Sequence, residues 1–446
     1  MYYTKAMNRY ITSSYNDISH ITKKIENFFN HISSLSTNLK LLIDSEAYEF
    51  KHCDIENYYT KLKKSIFKAP TLSIIVLCKN ESRCIKRCID SIYSEITTAD
   101  ELIVVDTGST DDSLDIVNHY SSIKLFHTLW EDDFAKVRNY ALTCANNDWI
   151  FFIDADESLS SSALHILKEY LSIIDWMGLQ SIVVAPTIMN SDSSVARGVK
   201  RILKNNSRFH YTGKVHEELR LNDCNLGTDV KYISFDNIIL NHDGYDPDIV
   251  SKKKKVPLYI NGLKYMVKEE PTHPRWLYFL CRDGEKFLSR SEYEKNLLLV
   301  IELSSSFDEF HFYMVRALSD LIRYYISCNS LTLAEEYLNM LKSISPALSD
   351  ILYFSTLLNL NKIKSQTAEL LNSLIQYRAS RTTIDYGSMH SNYFHIDSLL
   401  ALLFFEIGEY EKAFTLFKKL EKNNVGNYKS KYMSLYEALN QFMFSD

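Results

Sequence analysis

Two carboxylates separated by one residue, in the run Asp154-Ala155-Asp156, follow the apolar stretch Trp149-Ile150-Phe151-Phe152-Ile153. Side chains two apart on an extended segment point the same way, so both can face one cation. Converging carboxylates at a strand end are costly unless a cation or protons neutralise them. A bare Asp-x-Asp is commonly a solvated turn. Placed directly after an apolar strand, 48 residues beyond another acid, Asp106, it reads better as a site for a metal and a diphosphate.

Asp106 itself ends the run Val104-Val105 and opens Thr107-Gly108-Ser109-Thr110-Asp111-Asp112. An acid immediately after a buried strand can accept hydrogen bonds from a base or ribose, and Gly108 lets the backbone turn closely past a ligand. Turn chemistry accounts for Gly108 and Asp111 but poorly for Asp106. A third polar group, Cys78-Lys79-Asn80-Glu81-Ser82, precedes an amphipathic stretch; it can meet an anion at a helix N-terminus, or Asn80 and Ser82 can be ordinary caps.

The elements that must carry these groups alternate. Leu72 to Leu77, Leu102 to Val105, Ile123 to Phe126, Trp149 to Ile153 and Ile182 to Val184 read as strands, with helices near Ser82 to Tyr93, Ser113 to Tyr120 and Phe134 to Cys144. That alternation predicts an α/β fold: a Rossmann-like, mostly parallel sheet covered on both faces, with ligands outside the carboxyl ends of its strands. Residues 1–70 carry helical spacing at Ile18, Ile21, Ile25, Phe28, Phe29 and Ile32, and read as an N-terminal helical extension that packs on a neighbour or recognises an acceptor or subunit. Residues 71–250 form the α/β domain. Residues 251–446 turn all-α, and Gly408, Tyr410, Ala413 and Phe417 have tetratricopeptide-like spacing, as does Ala334 to Tyr337. Such helices bind a peptide or second subunit, or simply give support.

Composition narrows the partners. The 446 residues are 46% hydrophobic and 24% charged, and the net charge of -6 argues against nucleic acid, which needs a basic field. The absence of a secretory pattern or a long apolar run predicts a cytoplasmic protein without stable membrane insertion. Eight scattered cysteines read as free thiols; Cys84 and Cys88 share a helical face with Ile85, Ile89 and Ile92 and suit a core better than a metal.

Taken together, Leu72 to Glu81, the Val104 to Asp111 run and Asp154-Ala155-Asp156 resemble the family 2 glycosyltransferases, which have the GT-A fold. The resemblance implies that Asn80 and Glu81 lie near the nucleoside of a UDP-sugar, that Asp106 reads the uracil, that Asp154 approaches the ribose and that Asp156 ligates Mg²⁺ or Mn²⁺. Ser109, Asp133 and Arg201 join the implied substrate-binding set. Further runs, Trp130 to Asn139, Gly213 to Glu218 and Asn241 to Pro247, are similar to the peptide glycosyltransferases that modify bacteriocin precursors. This implies transfer of a hexose, with glucose the first choice, to Cys or Ser of a ribosomal peptide with inversion, and makes a homodimer plausible.

An inverting reaction needs a base opposite the diphosphate. Glu217 is the first candidate and His216 the second, because His216-Glu217-Glu218 stands where the family usually has an acidic pair. His242, after Ile238-Ile239-Leu240, reads as a metal ligand or a structural histidine. Arg138 reads as a sugar or diphosphate contact or as a solvated charge, and Lys252 to Lys255 as a lid or, better, a basic helix start. Two other functions compete: the same chemistry on a lipid or cell-wall glycan, and a non-catalytic helical-repeat binding protein with a degenerate GT-A domain.

Overall fold

The computed structural model describes residues 23, 27, 30–35, 69–222, 230–243, 256–305, 310–380 and 392–423. Most of the expected helical extension, Gly244 to Pro247, Lys252 to Lys255, Cys53 and Cys224 lie outside them. Ile32, part of that helical spacing, instead opens a strand, β1 (Ile32–Leu35), whose backbone pairs antiparallel with a long strand of the sheet. Backbone pairing with a sheet edge outweighs local helical preference there.

The sheet is built on β2 (Leu72–Cys78), β3 (Glu101–Asp106), β4 (Ile123–His127) and β5 (Trp149–Asp154), all parallel in the order β5-β2-β3-β4. The β-branched and aromatic residues of β2, β3 and β5 are buried on both faces, as a doubly covered sheet requires, whereas those of the edge strand β4 are half-buried. Alternate residues feed two cores. Ile74, Val76, Val104, Phe151 and Ile153 meet α1 (Ile85–Tyr93), α2 (Ser113–Asn118) and α4 (Ala163–Trp176). Ile75, Ile103, Val105, Ile150 and Phe152 meet α3 (Phe134–Cys144) and a hairpin of β10 (Phe209–Thr212) and β11 (Glu218–Leu221).

Beyond β5 the sheet becomes mixed. β9 (Ile202–Lys204) runs antiparallel between β5 and β7 (Val183–Asn190), and β7 is parallel to β12 (Tyr232–His242). β6 (Glu157–Leu159) returns along β12, β8 (Val195–Ala196) pairs with β7, and β1 covers the far edge of β12. Register then gathers the acids: Cys78 aligns with Asp106 and Leu77 with Asp154, while His242 aligns with both Asn190 and Glu157.

Two compact units result. The first comprises Met1–Ser289 with Ser306–Phe310, and includes α5 (Val256–Glu269) and α6 (Pro274–Gly284). The second comprises Arg290–Ser305 and His311–Asp446. In it α7 (Arg290–Ser304), α8 (His311–Ser327), α9 (Leu331–Ile344), α10 (Asp350–Ser380), α11 (Phe394–Glu406) and α12 (Tyr410–Lys422) pack each on the next. Gly408, at φ +85°, turns α11 into α12, and Ala401, Ala413, Phe414 and Phe417 form their core. Buried Asp397 pairs with Arg378 and Lys419.

Candidate active site

The turns after β2 and β3 are knitted together. Asn80 has a left-handed backbone (φ +55°); its N–H donates to Ser109 Oγ at 2.9 Å, and its side-chain Oδ1 accepts from Thr110 N at 2.7 Å. Glu81 N donates to Ser113 Oγ and Ser82 N to Asp111 Oδ2. Asp106 is buried, and its carboxylate accepts from Gly108 N at 2.9 Å and Ser109 N at 3.1 Å. These bonds fix Asn80, Ser109 and Asp106 in one rigid pair of turns. His127, which the sequence did not single out, aligns with Asp106 at the end of β4 and brings Nδ1 to 3.5 Å from it.

Asp154, at the end of β5, is clamped by two arginines. Arg201 approaches with Nη1 at 3.0 Å and Nη2 at 2.5 Å, and Arg138 Nη2 lies at 3.2 Å. Burial works against the Asp154 charge, but Arg201 and Arg138 outweigh it and hold the carboxyl well below its ordinary range. Arg201 Nη2 also reaches Glu157 Oε1 at 3.2 Å, and Glu157 accepts from Asp154 N at 2.9 Å. Burial pushes the Glu157 carboxyl up. Glu157 appeared in the sequence only as a neighbour of the motif; its burial and its bond back to Asp154 are tertiary facts.

Arg138 links two acids. Buried on α3 over the rings of Phe152 and Tyr211, it donates from Nε to Glu217 Oε1 at 2.6 Å while Nη2 faces Asp154. Among the described residues its buried Nη1 finds no acceptor, nor does Arg201 Nε, and the buried Tyr211 hydroxyl has no partner. Burial pushes the Tyr211 phenol up to about 12. Asn139 places Tyr211 by pairing with its backbone N–H and C=O.

Asp156 meets His242 across the β6–β12 pairing, with Oδ1 3.8 Å from Nε2. Nδ1 of His242 lies 2.9 Å from Asn190 Oδ1, a contact that orients the imidazole with Nε2 on the Asp156 side. Burial opposes charge on His242, whereas the hydrogen bond and charge of Asp156 raise its pKa. Among the described residues no three His, Cys, Asp or Glu side chains are arranged to hold an ion by themselves. A carboxylate and an oriented imidazole nevertheless fit Mg²⁺ or Mn²⁺, which commonly take one or two protein ligands with phosphate and water completing the shell. Next to them, Arg83 and Arg87 clamp Asp243 at 2.8 and 2.6 Å, pinning the end of β12 to α1.

Two predicted residues are directed elsewhere. Asp133 caps α3 by accepting from Lys136 N at 2.9 Å. His216 turns toward α6, where Nε2 lies 2.5 Å from Asp283 Oδ2. The structure therefore brings Asp154, Asp156, Arg138, Arg201, Glu217 and His242 into one connected region and leaves His216 on its far side.

The mostly parallel sheet, with acids at its carboxyl edge and an antiparallel insertion beside β5, has the GT-A type of fold expected from the sequence. Residues 73–214 match the family model for glycosyl transferase family 2, so the chain carries a domain of that kind and is a transferase enzyme. It is 26% identical over 407 residues to the SPbeta prophage-derived glycosyltransferase SunS of Bacillus subtilis, spanning 90% of this chain and 93% of that one. The lipopolysaccharide core biosynthesis glycosyltransferase LpsC of Rhizobium meliloti is 27% identical over 155 residues, 33% of this chain and 56% of that one. Among solved structures, S. aureus TarS 1–349 with UDP-GlcNAc is 17% identical, with a TM-score of 0.34, covering 57% of this chain and 81% of that one. Among the described residues no helix is long and apolar enough to cross a membrane.

Proposed function

We propose that this enzyme moves a hexose from a UDP-sugar, UDP-glucose first, to Cys or Ser side chains of a ribosomal bacteriocin precursor peptide, with inversion and with Mg²⁺ or Mn²⁺. The observation that carries the chemistry is Arg138, whose guanidinium joins Asp154 to Glu217. The peptide acceptor rests on the resemblance of the Trp130 to Asn139, Gly213 to Glu218 and Asn241 onward runs, together with similarity to SunS along nearly both whole chains.

In this reading the turns of Asn80, Glu81 and Asp106 receive the nucleoside, and Asp154 the ribose. Asp156 and His242 hold the cation, which supplies charge neutralisation for the departing diphosphate. Arg138 Nη1, buried without an acceptor among the described residues, has a donor ready for a sugar or diphosphate oxygen. The acceptor sulfur or oxygen forms its bond to the anomeric carbon as the bond to UDP breaks, and Glu217 takes the acceptor proton. A thiol acceptor needs less help from a base than a hydroxyl because it ionises nearer neutrality.

Incubation with Mg²⁺, a panel of UDP-sugars and a precursor peptide containing Cys and Ser, read by intact mass, tests the proposal. A gain of whole hexose units on the peptide supports it. UDP-sugar hydrolysis without a peptide product favours a lipid or cell-wall glycan acceptor, and failure of any UDP-sugar to bind favours the non-catalytic alternative. Asp156→Ala should abolish transfer; unchanged turnover would remove Asp156 from the cation site.

A further inference from the structure

We propose that His216 and Asp283 are positioning residues that aim Glu217 at the reaction centre. The inference rests on the reading of Glu217 as proton acceptor. His216 has φ +51°, a left-handed backbone that a residue with a β-carbon keeps only where its surroundings enforce it. The enforcement is visible on every side. The ring stacks on Phe279 at 4.3 Å and 18°, Tyr259 meets it edge-on at 5.3 Å, and Nε2 lies 2.5 Å from Asp283 Oδ2. The His216 carbonyl accepts from Arg275 Nη2 at 2.7 Å. Arg282 donates to Asp283 Oδ1 at 2.7 Å, holding that carboxylate in turn.

The consequence falls on the next residue. The left-handed step sends the His216 ring to α6 and the Glu217 side chain the other way, to Arg138. The approach to this step is equally constrained. Gly213 has φ +108° and a β-carbon there would overlap the Trp276 ring, while Lys214 O accepts from Phe134 N at 2.8 Å. Glu217 is thus held from α6, a helix beyond the segment that matches the family model. A carboxylate that must meet an acceptor proton within a few tenths of an ångström gains more from this anchoring than the packing of α6 requires.

The test compares His216→Gly, which accepts positive φ without strain, and Asp283→Asn, which keeps shape but removes the carboxylate that holds the ring. Each is measured alone and combined with Glu217→Gln, using UDP-glucose, Mg²⁺ and a Cys- and Ser-containing peptide, and each is crystallised. The expected result is a fall in kcat of roughly 10²-fold with the UDP-glucose KM unchanged, no further fall in the Glu217→Gln background, and loss of the Arg138–Glu217 contact in the crystals. Wild-type kcat, additive losses with Glu217→Gln, or an undisturbed Arg138–Glu217 contact would each overturn the proposal. If Glu217→Gln itself turns over at the wild-type rate, the base assignment fails instead. The crystals decide about positioning even where a variant is inactive for other reasons.

Discussion

Arg138 Nε donates to Glu217 Oε1 across 2.6 Å, although the two residues are 79 positions apart and lie on opposite sides of the metal-type motif in sequence. The same guanidinium lies 3.2 Å from Asp154, so one buried cation bridges two carboxylates that are distant in sequence. Arg201 closes the arrangement from β9's leading edge, and the four charges hold each other in place.

Arg201→Met keeps much of the side-chain volume but removes the cation shared by Asp154 and Glu157. Breaking one partner of a buried ion pair leaves uncompensated charge, at a cost of about 3–5 kcal/mol. A urea titration should show the midpoint falling accordingly, and a shift below ~1 kcal/mol would mean the cluster is far better hydrated than its burial indicates.

Asn190→Ala removes the group that orients His242 through Nδ1. Loss of such an outer partner typically weakens metal affinity by about 10–100-fold. Titration with Mn²⁺, followed by electron paramagnetic resonance, measures this directly; equal affinity in the variant and the parent would argue that His242 does not ligate the ion.

Glu217→Gln should reduce transfer to Ser more than to Cys, because a hydroxyl needs a base more than a thiol, which ionises much nearer neutrality. Competition between two peptides differing only in that acceptor, read by mass, compares the two. Rate losses within about twofold of each other would count against proton removal by Glu217.

Glu218 makes the first unit acid-sensitive. Burial opposes its charge, but His273, Arg275 and Arg220 outweigh that and hold its carboxyl down to about 2. Because the folded value lies below the unfolded one, its contribution is fully present above about pH 4.5 and fades as pH falls toward 2. Glu218→Gln should lower stability near neutrality by about 3 kcal/mol and flatten the loss between about pH 5 and pH 3. Thermal melts across that range check both; parallel curves for parent and variant would contradict the assignment.

The alternating fold was legible from residues 72 to 154 because each buried strand is a short β-branched or aromatic run and each helix carries an apolar stripe. Predicted α3 matches Phe134–Cys144 at both ends, since Asp133 caps it and the chain turns extended at Ala145. The antiparallel insertion of β9, a three-residue strand, was not legible. Strands that short carry no periodic signal, and their direction follows from partners distant in sequence. Likewise, spacing marked Asp106, Asp154 and Asp156 and ranked Glu217 ahead of His216, yet did not reveal that these two adjacent side chains turn opposite ways.

By itself, then, the sequence determined which strand ends carry acids and which chemistry those acids suit, because strand pattern and post-strand position are local properties. Only the tertiary structure decided the partners. Arg138 and Arg201 reach Asp154 from α3 and from the entry to β9, and Asn190 orients His242 from a neighbouring strand. The left-handed backbone at His216 separates two adjacent side chains, sending one to α6 and the other toward Asp154. Direction and charge balance depend on contacts between residues far apart along the chain, and no local window of sequence contains them.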